Sequence, residues 1–125
     1  MLAMNTSSAE LPACPDSPNC VSSQATDERH RIDPLAFSGS PGEALARLKQ
    51  AVLSEPRMTI VAEEGAYLQC EARSLIFRFV DDLAFQLDAA QGVIHVRSAS
   101  RIGHSDFGVN RRRVERIRQA FSQQQ

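Results

Sequence analysis

The segment Arg97-Ser-Ala-Ser-Arg-Ile-Gly-His-Ser-Asp-Phe-Gly-Val-Asn-Arg-Arg-Arg113 holds five of the chain's thirteen arginines. Guanidinium groups are permanently charged, planar and forked, so this density suits the capture of an anion or the locking of a polar network. In the binding reading, Arg97, Arg101, Arg111 and Arg113 supply the charge. Ser98, Ser100, His104 and Asn110 supply neutral donors, and Gly103 and Gly108 can take positive φ. Asp106 can bond its own loop backbone or clamp an arginine. The loop is neither a Walker loop nor a dinucleotide fingerprint, so it names no reaction and no cofactor. Arg111, Arg112 and Arg113 fall in the first turn of an expected helix, where each cation is unfavourable by roughly 0.3–1 kcal/mol when exposed. A bound anion would offset this. So would internal pairing with Asp81, Asp82, Asp106 or Glu115, for which Arg111 and Glu115 stand at i, i+4.

A second stretch able to do chemistry is Cys14-Pro-Asp-Ser-Pro-Asn-Cys-Val-Ser-Ser23. Its cysteines have five residues between them, which fits none of the common zinc spacings, and His30, His95 and His104 form no ligand pair with them, so no metal site is expected. A disulfide closing this loop is open to an oxidising compartment. The other reading leaves Cys20 a free thiol beside Asn19, Ser22 and Ser23. Facing arginines, it would then serve as the nucleophile of a thiol-dependent enzyme with His104 as base. Cys70 alternates with Leu68 and Ala72 and reads as a small core residue. Ser22 and Ser23 are further neutral donors for a ligand. Weighed together, these residues favour a binding module over an enzyme.

The elements that must position these groups follow from periodicity. Ser40 as N-cap, Pro41 at the first helical position and Glu43 completing a capping box open a helix that ends before Pro56, with Leu45, Leu48 and Val52 as its stripe. Alternating runs follow. Met58, Ile60 and Ala62 share one face, then Leu68, Cys70 and Ala72 oppose Tyr67, Gln69, Glu71 and Arg73. Ile76 to Val80 leads into Leu83, Phe85 and Leu87 as one long bulged strand or two short ones. Gly92 to Arg101 forms the last strand, with His95, Arg97 and Arg101 on the face away from Ile94 and Val96. Asn110 is read as the N-cap of the final helix, whose stripe is Val114, Ile117 and Phe121. Short links favour an antiparallel meander of four or five strands with both helices on one face, an α+β fold. Residues 1–12 read as a flexible lead-in and 13–125 as one domain.

Length and charge narrow the functions. The chain has 125 residues, 42% hydrophobic, enough for one modest core. The net charge of −1 hides an asymmetry: residues 1–96 carry seven basic and thirteen acidic groups, residues 97–125 seven and two. With one tyrosine, no tryptophan and an acidic body, nucleic acid is not an expected partner. No apolar run spans a membrane and no secretory signal opens the chain, so a cytoplasmic location is the default. The partner expected is an anionic small molecule or an acidic protein group.

Taken with the Phe79-Val-Asp-Asp82 step, the Cys14 to Ser23 and Arg97 to Arg113 motifs resemble the domain of unknown function 1499 family, over nearly the whole chain. The resemblance implies a single small domain without an assigned activity. It also implies a periplasmic or membrane-associated alternative, since members often carry an N-terminal membrane or export segment that this chain does not show. Because the shared residues are mostly polar and lie in loops and at a helix start, the Cys14 to Ser23 loop is expected to pack beside Arg97 to Arg113 and form one polar cleft.

Overall fold

The computed structural model describes residues 10–103 and 106–124. The first nine positions of the expected lead-in, and His104, lie outside the described residues. By Leu11 the chain is already packed, its side chain buried and its amide donating to the Gln24 side chain at 2.8 Å.

Six strands and two helices follow in the order β1 (Cys20–Ser22), β2 (Leu35–Ala36), α1 (Pro41–Leu53), β3 (Met58–Glu64), β4 (Tyr67–Arg73), β5 (Val80–Asp88), β6 (Val93–Ser100) and α2 (Val109–Ser122). The sheet is antiparallel, ordered β1-β6-β5-β4-β3, with β2 also pairing β6. The α+β meander expected from the alternation is therefore present, enlarged by two short N-terminal strands.

Helix α1 begins as its residues dictate. The Ser40 hydroxyl accepts the Glu43 amide at 3.1 Å while the Glu43 carboxylate accepts the Ser40 amide at 3.4 Å. Ala44, Leu48, Ala51 and Val52 of α1 and Val114, Ile117 and Phe121 of α2 are buried. They meet Leu68, Cys70, Leu83, Phe85, Ile94 and Val96, which alternate along β4, β5 and β6 on one face of the sheet. Buried large side chains of this kind contribute about 1.5–3 kcal/mol each, which is what holds both helices on that face.

Three local readings are corrected. Cys20 to Ser22 is a buried strand and not a surface loop: Val21 turns inward and its neighbours find ladder partners on β6. The alternation of Ile76 to Val80 does not make a strand before Val80. Ser74 and Phe79 close a loop on each other, through Ser74 N–H to Phe79 O and Phe79 N–H to the Ser74 hydroxyl, both 2.9 Å. Asn110 is not the cap of α2. The cap position is Gly108, at φ +82°, where an added Cβ would meet the Arg112 guanidinium at 2.9 Å. Asp106 serves the helix start instead, its carboxylate accepting the Gly108 and Asn110 amides at 2.8 and 3.0 Å.

Candidate functional site

The Cys14 to Ser23 segment does lie against Arg97 to Arg113, because β1 pairs antiparallel with β6: Cys20 opposes Ala99, Val21 opposes Ser98 and Ser22 opposes Arg97. The junction is filled by a buried polar network centred on Asn110. Its carbonyl oxygen accepts the Ser98 hydroxyl at 2.6 Å and the Arg113 guanidinium at 3.0 Å. Its amide donates to Asp106 (2.7 Å), Ser100 (3.0 Å) and the Asn19 carbonyl (3.3 Å). Asn19 continues the lock by donating its side-chain amide to the Gly103 carbonyl at 2.8 Å. With every polar atom matched, such a network fixes three segments in one arrangement.

Strand alternation decides where the arginines go. Asp81 faces the helices and Asp82 faces the opposite, open side of the sheet. Arg113 reaches Asp81 from α2 at 2.9 Å. Arg101 lies on the open side, where it forks onto Asp82 at 2.8 and 2.9 Å and onto Glu71 at 2.8 Å. Hydrogen bonding to Asp82 is the main reason its pKa rises above the ordinary arginine value. Arg111 donates to the carbonyls of Arg31 and Arg29 at 2.9 and 3.3 Å. Glu115 is held by Arg118 at 2.9 Å and not by Arg111. The sheet thus separates Arg97 and Arg101 from Arg111 and Arg113, and one cleft gathering all four is not formed.

Arg97 differs from the rest. It stands on the open side of β6, opposite Ala84, in a depression of about 200 Å³ lined by Pro12, Tyr67, Gln69 and Asp82. Its guanidinium donates from Nη2 to the Ala13 carbonyl at 3.3 Å, and its Nε–H is buried without a partner among the described residues. Burial pushes its pKa down, with Asp82 and Tyr67 acting in the opposite sense.

Cys14 and Cys20 form a disulfide, with Cα atoms 5.7 Å apart, and Cys20 is buried. The nucleophile of the enzyme reading is thereby absent as a thiol in this structure, and its proposed base, His104, lies outside the described residues. Cys70 is the free cysteine among the described residues; burial pushes its pKa up to about 12, so it stays protonated in the core.

Sequence reasoning missed a second open-side hollow of about 490 Å³, lined in part by Ser22, Gln24, Asp27, Asp88 and His95. Beside it the Ser23 hydroxyl accepts the Val96 amide at 2.8 Å and faces His95 Nδ1 at 3.1 Å, while Asp88 stands 4.0 Å from His95 Nε2. Ser23 is buried and already engaged, so this trio fixes the strand junction and presents no nucleophile. His95 had shown only as a wet-face histidine; nothing in the sequence linked it to Asp88 across the β5–β6 turn. Among the described residues no three His, Cys, Asp or Glu side chains gather into a metal-ligating group, and no helix is long and apolar enough to cross a membrane.

Residues 10–121 match a family model described as "Protein of unknown function (DUF1499)". A search of curated proteins gives no match.

Proposed function

The chain belongs to the DUF1499 family, whose description carries no activity to inherit, and we propose from its geometry that it is a binding module that takes a small anionic group at Arg97. The motif arginines Arg101, Arg111 and Arg113 serve as architecture in this reading. Arg97 keeps its unmatched Nε–H in a depression that Tyr67 and Gln69 also line. The observation that carries the reading is the buried Nε–H of Arg97 without an acceptor, since an unmatched buried donor costs about 1–3 kcal/mol and a carboxylate oxygen would satisfy it. A volume near 200 Å³ fits a carboxylate-sized group better than a nucleotide. The Cys14–Cys20 bridge supports placing the domain in an oxidising compartment, the alternative to the cytoplasm.

Acetate and inorganic phosphate are suitable probes, titrated while the arginine Nε–H resonances are followed by NMR. A saturable shift of the Arg97 resonance is expected, with the Arg101 and Arg113 resonances unmoved. A titration that leaves Arg97 still, or moves all the arginines alike, would overturn the reading.

A further inference from the structure

The loop between β4 and β5 reads Ser74-Leu-Ile-Phe-Arg-Phe79 and carries its apolar side chains outward: Leu75, Ile76, Phe77 and Phe79 are 70%, 78%, 73% and 48% exposed. Isolated exposed apolar residues need no account, but four in five consecutive positions form a contiguous patch. The Phe77 and Phe79 rings stack on each other at 5.4 Å while both stay exposed, so they are not folded onto the body. Arg78 sits among them with φ +59°, the left-handed backbone of a tip. The stem is closed by the Ser74–Phe79 hydrogen bonds and by the Arg73–Val80 register pair, so the tip projects past the end of the sheet.

The same end of the sheet is lined with cations. Arg57 lies alongside Arg73, donating Nε–H to its carbonyl at 2.9 Å, and Arg101 bonds the Val80 carbonyl through its amide at 3.2 Å. The nearby carboxylates are occupied within the fold: Glu71 and Asp82 by Arg101, and Glu55 by Arg116 at 2.8 Å. Arg57 and Arg78 have no carboxylate partner among the described residues. The segment from Ser74 to Val80 has no acidic residue. The patch is therefore apolar at its tip and positively charged at its rim.

We propose that this loop docks the domain on an anionic lipid surface, inserting Ile76, Phe77 and neighbours among the acyl chains while Arg78 and Arg57 lie at the headgroups. A fluid bilayer accommodates a projecting apolar tip of any outline, whereas a protein partner would need a matching hollow. Aromatic and aliphatic side chains enter the boundary between headgroups and chains, and arginine at that level is drawn to anionic lipid. The assignment is independent of ligand binding at Arg97, which lies on the open face and not at this tip.

The test is co-sedimentation of the full chain with vesicles of phosphatidylcholine, with and without phosphatidylglycerol. Binding is expected to the phosphatidylglycerol vesicles, weakened by salt. Phe77→Ser or Ile76→Ser should reduce it about tenfold, and Arg78→Glu by a similar factor. Because these side chains are solvent-exposed, the variants should melt as the parent does, and Val61→Ser, an exposed apolar change elsewhere on β3, should bind as the parent. Three outcomes would each overturn the proposal: no partition into anionic vesicles, partition that the tip variants leave unchanged, or a dimer in solution that Phe77→Ser disperses, which would make the patch a contact between two copies.

Discussion

Arg113 and Asp81 meet at 2.9 Å between helix α2 and strand β5, with side chains only 11% and 12% exposed. This nearly buried pair offsets the clustering of positive charge at the start of α2, a role that an external anion would otherwise have to fill. Removing one partner strands the other charge. Arg113→Met should therefore cost about 3 kcal/mol in denaturant unfolding, and the double change Asp81→Leu with Arg113→Met should restore most of it. A single-variant loss below about 1 kcal/mol would class the pair with exposed ion pairs.

Asn110 connects five groups on three segments. Asn110→Ala leaves buried partners unmatched, and a loss of about 2–4 kcal/mol is expected. Asn110→Asp keeps the shape but sets a carboxylate against Asp106 and the Asn19 carbonyl, so it should be at least as harmful at neutral pH. Thermal melts of the two variants check the order; an Asn110→Asp protein as stable as the parent would count against the network's donor role.

Asp106 gives a pH dependence of definite sign. Burial acts to raise its pKa, but the Asn110 amide, the Asn110 side chain and the Gly108 amide outweigh it and hold the folded value below the ordinary carboxylate value. Its contribution is complete above the unfolded pKa and is lost as pH falls through the folded one. Asp106→Asn should cost about 1 kcal/mol near neutrality, in the range of a lost helix cap, and the gap from the parent should close in acid. A gap that persists below the carboxylate range would mean the charge is not what matters.

The Cys14–Cys20 bridge should contribute about 2 kcal/mol, so paired Cys14→Ser and Cys20→Ser changes, or reduction, should lower the unfolding midpoint accordingly. The oxidised folded protein should take up no thiol reagent at neutral pH, since Cys70 is buried and protonated. Rapid labelling of the native state would reopen the thiol-enzyme reading.

Much of the frame was legible in the residues. The Ser40, Pro41 and Glu43 signature fixes the start of α1 because capping is a local matter, and the alternation of Leu68, Cys70 and Ala72 reports a half-buried strand for the same reason. The loop glycines Gly103 and Gly108 also take the positive φ expected of them. What escaped depends on partners distant in sequence. β1 is three residues long, too short to show a period, and is a strand only because β6 pairs with it. Ile76 to Phe79 alternates like a strand but lacks a neighbour and projects outward. At the site, the arginine motif was visible as a cluster, but residue types could not tell that Asp81 and Asp82 face opposite sides of the sheet. That single fact splits the cluster in two.

The pairing of β1 with β6 also sets the order in which the molecule can be completed. Cys20 to Ser22 wait for Arg97 to Ala99, so some three-fifths of the chain separates the two halves of one ladder. Contacts this distant are slow to close. During synthesis the α1 to β5 meander can assemble as it emerges, while the N-terminal segment stays without its neighbour until the last strand is released. A nascent chain halted before Val93 should accordingly remain protease-sensitive through Ser23, and resistance there should arrive together with the final helix, as one event.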